Sequence, residues 1–295
     1  MSRCLVTGHK GYIGTKLVAK LEELGHEVMG IDLNEDIPHD IIKDLREGTD
    51  GKFHPHYFNF QPEYIFHMAC WPRVGYSVEH PVETNENKTL AGTILLNFAR
   101  KVGSVKRVIY SSSSSVMGNG DGPESPYALQ KYTTEIETTL YSRLYGLDTV
   151  SLRSFNVYSH DQSVSGPYAT AISNWMHALR NDIQPYISGD GEQRRDMINV
   201  EDVVSANIFC MQHQESFGGE VYEIGAGTNI SLNQIKEIVN KHFPSVEFKY
   251  TAPRPGDIDE TKALTEPLRE KGWTASIDID TGIEDCFERV KNEYK

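Results

Sequence analysis

Thr7-Gly8-His9-Lys10-Gly11-Tyr12-Ile13-Gly14 joins two unlike stretches. Arg3 to Thr7 reads as a short buried strand, and Gly11 to Leu24 reads as a helix with Ile13, Leu17, Val18, Leu21 and Leu24 on one side. Glycines at this spacing allow a tight turn and let a pyrophosphate reach backbone N–H groups at the positive end of a helix. Alone, such a turn is weak evidence, because a purely structural turn has the same composition. The next strand, Glu27 to Ile31, ends at Asp32, where a carboxylate accepts hydrogen bonds from an adenosine ribose and repels a 2′-phosphate. The pattern therefore predicts NAD rather than NADP, held by Gly8, Gly11, Tyr12, Ile13, Gly14 and Asp32.

The same alternation continues along the chain. Tyr64 to Met68, Lys106 to Tyr110 and Asp148 to Leu152 carry strand signals, with helical stretches at 82–102 and 126–145 between them. Strands and helices in alternation imply an α/β fold, a Rossmann-type doubly wound parallel sheet covered on both faces. After Arg153 the pattern loosens around Pro167, Pro185, Gly189 and Gly191. A strand and helix follow within 196–211, then a strand at Glu220 to Ile224 and a helix at Ser231 to Phe243. The last fifty residues, with Pro253, Pro255 and Pro267, read as a small, less regular part. We expect one compact unit with two lobes. Residues 1–160 form the NAD-binding domain, with 192–225 returning to it, and 161–191 with 226–295 form a smaller C-terminal α/β substrate lobe.

Composition narrows the function classes. The 295 residues are 38% hydrophobic, enough for a large core. Forty-two acidic against 29 basic residues give a net charge of -13, which disfavours nucleic acid and anionic membranes in the absence of a basic stripe. Cys4, Cys70, Cys210 and Cys286 are scattered without a Cys-x-x-Cys and read as reduced thiols, which suits the cytoplasm. No targeting order of residues and no membrane-length apolar stretch is expected. His54-Pro-His56 lacks a third ligand nearby, so no metal is assigned.

Two Tyr-x-x-x-Lys patterns occur, Tyr12 to Lys16 and Tyr127 to Lys131, and with 15 tyrosines the bare spacing is near chance. The first pair belongs to the glycine turn and its helix. The second lies near the start of the 126–145 helix, one turn apart and on one face, after a serine run, Ser111 to Ser115. A free phenol has a pKa of about 10, so a base working near pH 7 requires a shift of roughly 3 units, or about 4 kcal/mol. One cation at about 5 Å with an effective dielectric near 20 contributes roughly 3 kcal/mol. Lys131 and an oxidised nicotinamide together therefore make Tyr127 a usable base. Lys131 is also suited to hold the nicotinamide ribose, and Ser113 to share the hydrogen bond of a reacting hydroxyl. A flexible serine linker is the bland alternative, and it fits poorly directly after apolar Arg107-Val-Ile-Tyr110.

These residues resemble the extended short-chain dehydrogenase/reductases that act on nucleotide-linked sugars, with the UDP-sugar 4-epimerases nearest. The resemblance covers nearly the whole chain. It runs through the glycine turn, Asp32, Asp44-Leu45, Phe66-His-Met-Ala69 with Val74, Ser77 and Pro81, and then Ser113, Tyr127 and Lys131. Beyond these come Leu152-Arg-Ser-Phe-Asn-Val-Tyr158, Gly189-Asp-Gly-Glu-Gln-Arg-Arg-Asp196, Asp202-Val203 and Arg254-Pro-Gly-Asp257. It implies cofactor contacts at Asp44, Leu45, Met68, Ala69, Ser111, Tyr127 and Lys131, and at either Asn87 or Thr89, because the stretch before Gly92-Thr93 carries an extra residue. It implies substrate contacts at Arg73, Ser113, Asn156, Arg195, Arg254 and Asp257, with arginines suited to forked contacts on a diphosphate. It also implies a homodimer paired through the Tyr127 helix.

Within that family, 4,6-dehydratases carry an Asp-Glu pair just after the catalytic hydroxyl, and sugar-acid decarboxylases carry a glutamate where Ser115 stands. Ser114-Ser115 therefore favours 4-epimerisation through a 4-keto sugar. A dehydrogenase, 4-keto reductase or decarboxylase on the same scaffold and a non-catalytic dinucleotide-binding sensor are the rivals. Thr261 falls where epimerases choose between a bulky tyrosine and a small residue, and a small side chain implies room for an N-acetyl group. Departures from the pattern include Gly118-Asn-Gly-Asp-Gly122 in place of a longer loop, Ser154 for an aromatic, Ser159 for a glycine, and Asn199 for an aromatic or histidine. Trp71, Trp175 and Trp273 read as packing residues.

Overall fold

The computed structural model describes residues 1–34, 44–51, 55–71, 74–162, 170–253 and 259–293. The chain divides into two units, Met1–Arg153 with Val204–Tyr222, and Ser154–Val203 with Glu223–Lys295. Each is described by itself.

The first unit is built on β1 (Arg3–Thr7), β2 (Glu27–Ile31), β3 (Tyr64–His67), β4 (Arg107–Ser113), β5 (Thr149–Ser154) and β6 (Glu220–Ile224). They lie in the order β6-β5-β4-β3-β1-β2. β1 pairs in parallel with both β2 and β3, and β3 pairs in parallel with β4. Winding thus runs outward one way to β2 and then the other way from β3, so a crevice opens at the carboxyl ends of β1 and β3. This is the Rossmann-type doubly wound sheet that the alternation predicts. Central strands are apolar at consecutive positions because helices cover both faces: Leu5, Ile65 and Val108 sit in one core cluster with Leu95, Leu96, Phe98 and Ala99. Around the sheet stand α1 (Tyr12–Glu23), α2 (Ala91–Val102) and α3 (Pro126–Tyr145).

Two elements differ from expectation in ways that bear on function. β4 does not stop at Tyr110 but continues through the serines to Ser113. Ahead of α2 the helical stretch contains a π-turn, Glu86–Leu90, in which the Ala91 N–H donates to the Glu86 carbonyl five residues back.

In the second unit, helices Ala171–Arg180, Leu232–His242 and Ile279–Asn292 enclose a core that includes Ile172, Trp175, Met176, Ile235, Ile283 and Phe287. The final segment is more regular than its prolines suggested. Asp278 caps its last helix, accepting from the Thr281 N–H at 3.0 Å, and Ile279, Ile283, Cys286, Phe287 and Val290 form a buried stripe. The Trp175 indole N–H donates to the Tyr186 carbonyl at 2.9 Å, and both Trp175 and Trp273 are buried. Among the described residues no helix is long and apolar enough to cross a membrane, and no group of three metal-ligating side chains occurs. His54 lies outside them.

Candidate active site

The glycine turn and the end of β3 meet at the crevice. Gly8 has φ +71°, and a Cβ placed on it would stand 2.8 Å from the Ala69 backbone. A Cβ on Gly14 would collide with the Gly8 carbonyl and come within 2.8 Å of His9 Cα. Only glycine lets α1 start this close to the turn. Gly11 caps α1 without a side-chain hydrogen bond, which leaves the positive helix end to an anion. The Asp32 carboxylate accepts from the Lys10 N–H at 3.0 Å and the Asn34 N–H at 2.9 Å. Two carboxylate oxygens still have lone pairs for ribose hydroxyls after these bonds. Cradle, helix end and carboxylate fit a dinucleotide lacking a 2′-phosphate.

Met68 and Ala69 lie beside this turn, their N–H groups donating to the Thr7 carbonyl at 3.1 Å and the Thr7 hydroxyl at 3.2 Å. The Thr7 hydroxyl stands 2.8 Å from His67 Nδ1. Burial, then the Lys131 charge, push His67 down to about 3, so its imidazole is neutral. Asp44 holds Arg46, with Arg46 Nε 2.8 Å from Oδ2, and Leu45 is buried. Burial raises the Asp44 carboxyl, but the Arg46 hydrogen bonds outweigh this and leave it lower than usual.

Tyr127 stands at the amino end of α3. Ser125 caps this helix, accepting from the Ala128 N–H at 3.2 Å, Pro126 begins it, and Gly146 ends it in a left-handed conformation. The Tyr127 N–H donates to Ser77 Oγ at 3.0 Å, and Ser77, fully buried, donates to the Val74 carbonyl at 2.6 Å. One turn on, Lys131 is 3% exposed, with Nζ donating to the Ser111 carbonyl at 2.5 Å and standing 5.1 Å from the Tyr110 ring centroid. Beneath them Glu135, 2% exposed, accepts from Arg153 Nη2 at 2.8 Å and from the Ser112 hydroxyl, tying α3 to β4 and β5.

Ser113 ends β4, and its Oγ accepts from the Ser115 hydroxyl at 3.0 Å and the Ser115 N–H at 3.3 Å. That leaves the Ser113 proton to be donated elsewhere. The short loop that follows closes on itself. Gly118 has φ +52° and packs against the Gly122 carbonyl, while Glu124 accepts from the Asn119 N–H at 3.0 Å.

The π-turn bears on the Asn87 or Thr89 alternative. Asn87 is buried and its Oδ1 accepts from the Trp71 N–H at 3.1 Å, whereas Thr89 Oγ1 is buried with no hydrogen-bond partner among the described residues.

In the second unit Asn156, Arg195 and Thr261 gather around Asp196. Asn156 has φ +31° and its amide donates to the Asp196 carbonyl at 2.6 Å. The Asp196 N–H donates to the Thr261 carbonyl at 3.0 Å, and the Thr261 N–H donates to the Arg194 carbonyl at 3.0 Å. Arg195 lies in a two-residue strand paired antiparallel with Ile230–Ser231. The Asp196 carboxylate is fully buried and accepts the N–H groups of Ala226 at 2.8 Å, Gly227 at 3.0 Å and Ala263 at 2.9 Å. Arg73, Arg254 and Asp257 lie outside the described residues.

Ser77, Ser115, Lys88 and Asp196 were not singled out for a role in the sequence. Ser77 and Asp196 stood inside quoted motifs, so their positions were visible while their partners were not. Only the extra residue before Gly92 hinted at Lys88.

A glycine-cradled dinucleotide crevice with a Tyr-x-x-x-Lys pair on the adjoining helix defines a short-chain dehydrogenase type of enzyme. The chain belongs to the NAD dependent epimerase/dehydratase family, which matches residues 4–225. A putative UDP-glucose 4-epimerase of Methanocaldococcus jannaschii is 31% identical over 99% of both chains. The Thermotoga maritima UDP-glucose 4-epimerase crystallised with UDP-glucose is 28% identical, with a TM-score of 0.88 over 99% of this chain and 100% of that one. The UDP-N-acetylglucosamine 4-epimerase of Methanobrevibacter ruminantium, in complex with UDP-N-acetylmuramic acid, is 28% identical, with a TM-score of 0.86 over 99% of each chain.

Proposed function

We propose that this chain is an NAD-dependent UDP-sugar 4-epimerase in which Tyr127 is the acid/base. The observation that carries this reading is the placement of Tyr127 and buried Lys131 on α3 while Ser113 ends β4 and Ser114 and Ser115 follow it, with no carboxylate among them. Bound NAD would supply reversible hydride acceptance at sugar C4, with return to the opposite face. Tyr127 takes up the C4 hydroxyl proton and gives it back, Ser113 donates to the same oxygen, and the Lys131 ammonium favours the phenolate and reaches the ribose. Gly8, Gly11, Tyr12, Ile13, Gly14 and Asp32 would hold the cofactor, with Asp44, Leu45, Met68, Ala69, Asn87 and Ser111 along its length. Asn156, Arg195 and Thr261, with Arg73, Arg254 and Asp257, would hold the nucleotide sugar. Elimination and decarboxylation both require an acid where Ser114 and Ser115 stand.

The small Thr261 side chain extends the reading to UDP-N-acetylhexosamines as well as UDP-hexoses. We further assign a homodimer formed through α3, because Leu129, Ile136, Leu140 and Leu144 form one exposed apolar face on it. A cytoplasmic setting is consistent with four free cysteines.

The test is a panel of UDP-, GDP- and dTDP-sugars incubated with NAD and followed by NMR, with Tyr127→Phe alongside. Interconversion at C4 without net NADH, reduced about 10²- to 10⁴-fold in Tyr127→Phe, is expected. Stoichiometric NADH would instead identify a dehydrogenase. NAD binding without turnover of any sugar would identify a sensor.

A further inference from the structure

Lys88 is a buried cation with no carboxylate to neutralise it. It lies in the π-turn Glu86–Leu90 and is 2% exposed. Its Nζ donates to Gln130 Oε1 at 3.0 Å, and the Gln130 amide donates in turn to Thr84 Oγ1 at 3.1 Å and the Pro81 carbonyl at 3.3 Å. The same ammonium stands over the Tyr127 ring, 5.2 Å from its centroid. Among the described residues no Asp or Glu pairs with it.

A solitary buried ammonium is costly, and methionine would fill the space without that cost. Burial brings Lys88 down to about 8, with Cys70 opposing and Lys131 adding to the fall, so at pH 7 most molecules still carry the charge. The surrounding groups are accounted for. From α3 come Tyr127, Gln130 and Lys131, and from the segment after β3 comes Cys70. On its own helical stretch Glu83 accepts from the Tyr76 hydroxyl at 2.8 Å, and Glu86 lies 3.8 Å from Arg46. Because the Lys88 ammonium stands over the Tyr127 ring, it interacts favourably with an ionised Tyr127. The π-turn supplies the geometry, because one extra residue in the helical stretch changes which side chain faces α3.

We propose that Lys88 is a positioning residue for Tyr127, a second cation beside Lys131 that favours the phenolate and prepares it to take up a substrate proton. This rests on the reading of Tyr127 as acid/base, and the experiment separates the two. If Tyr127→Phe retains wild-type turnover, the reading of the site fails. If Tyr127→Phe loses turnover, Lys88 is tested by Lys88→Met, which keeps length and removes charge.

In Lys88→Met the acid limb of the kcat/KM profile should move up by about one pH unit, with the plateau above it retained. NMR of carbon-labelled tyrosine in NAD-free protein, assigned by its loss in Tyr127→Phe, should show the same upward shift. Lys88→Arg, which keeps the charge, should keep the wild-type limb. A pH-independent fall in rate, or an unmoved Tyr127 titration, would overturn the proposal. Should Lys88→Met fail to fold, Gln130→Met removes the ammonium's acceptor and leaves the lysine. A descending alkaline limb that moves to lower pH then supports the proposal, and an unmoved one refutes it.

Discussion

Replacing Asp196 should separate a structural anchor from an ordinary motif aspartate. Its carboxylate is fully buried and receives three backbone N–H groups, from Ala226, Gly227 and Ala263. Asp196→Ala leaves all three without an acceptor. Each buried unsatisfied N–H costs about 1–3 kcal/mol, and partial relaxation brings the sum to about 4 kcal/mol. Asp196→Asn keeps one accepting oxygen and should cost about 1–3 kcal/mol at pH 7. The pH dependence has a definite sign. Burial raises Asp196 to about 6, against the downward pull of the Ala263, Ala226 and Gly227 N–H groups. A folded-state value above the ordinary 3.8 means that the native state binds the extra proton between about pH 4 and 6. Stability from this group therefore falls as pH rises through that window and is flat above it. Asp196→Asn does not titrate, so wild type should lose roughly 3 kcal/mol relative to it between about pH 3.5 and 7. Urea unfolding followed by tryptophan fluorescence suits the measurement, because Trp175 and Trp273 are buried in the same unit. Hydrogen exchange at the amides of Ala226, Gly227 and Ala263 should lose protection in Asp196→Ala. A loss below about 1 kcal/mol, or a pH-independent difference from Asp196→Asn, would refute the anchor.

Gly14→Ala forces its new methyl group onto the Gly8 carbonyl and should weaken NAD binding roughly five- to a hundredfold, by overpacking worth about 1–3 kcal/mol; calorimetric titration with wild-type affinity would contradict this. Thr261→Tyr should lower kcat/KM for UDP-N-acetylhexosamines while sparing UDP-hexoses, and equal losses on both would remove Thr261 from substrate choice. Ile136→Lys places a charge in the middle of the exposed α3 face and should convert a dimer to a monomer by light scattering. A wild-type protein that is monomeric at every concentration would refute the dimer itself.

Legibility in the sequence followed the range of the interactions. The α3 helix was predicted at 126–145 and is observed at Pro126–Tyr145, because Ser125, Pro126 and Gly146 are local start and stop signals. The end of β4 read short because apolar residues stop at Tyr110, while the hydroxyls beyond are satisfied by α3, as Ser112 is by Glu135. The helix Ile279–Asn292 was visible in principle, with an aspartate cap and a 3.6-residue apolar stripe, but prolines upstream drew the reading toward irregularity. The role of Asp196 was not visible, since its partners Ala226 and Ala263 are 30 and 67 positions away. The π-turn registered only as one residue too many, because no local residue type announces it.

The short interval between Ser113 and Tyr127 departs from the family pattern without moving Tyr127 or Lys131. Tyr127 is fixed through its amide to Ser77, at the buried side of the helix Val74–Glu79, and Lys131 is fixed to the Ser111 carbonyl on β4. Neither anchor belongs to the loop. The loop is closed by Gly118 packing on Gly122 and by Glu124 accepting from Asn119, all within residues 118–124. Shortening it therefore changes the rim beyond Ser113 and leaves Tyr127 and Lys131 in place. The extra residue before α2 works in the opposite way, since it alters what α3 faces and sets a second ammonium over Tyr127. Of the two departures, the inserted residue is the one that reaches Tyr127.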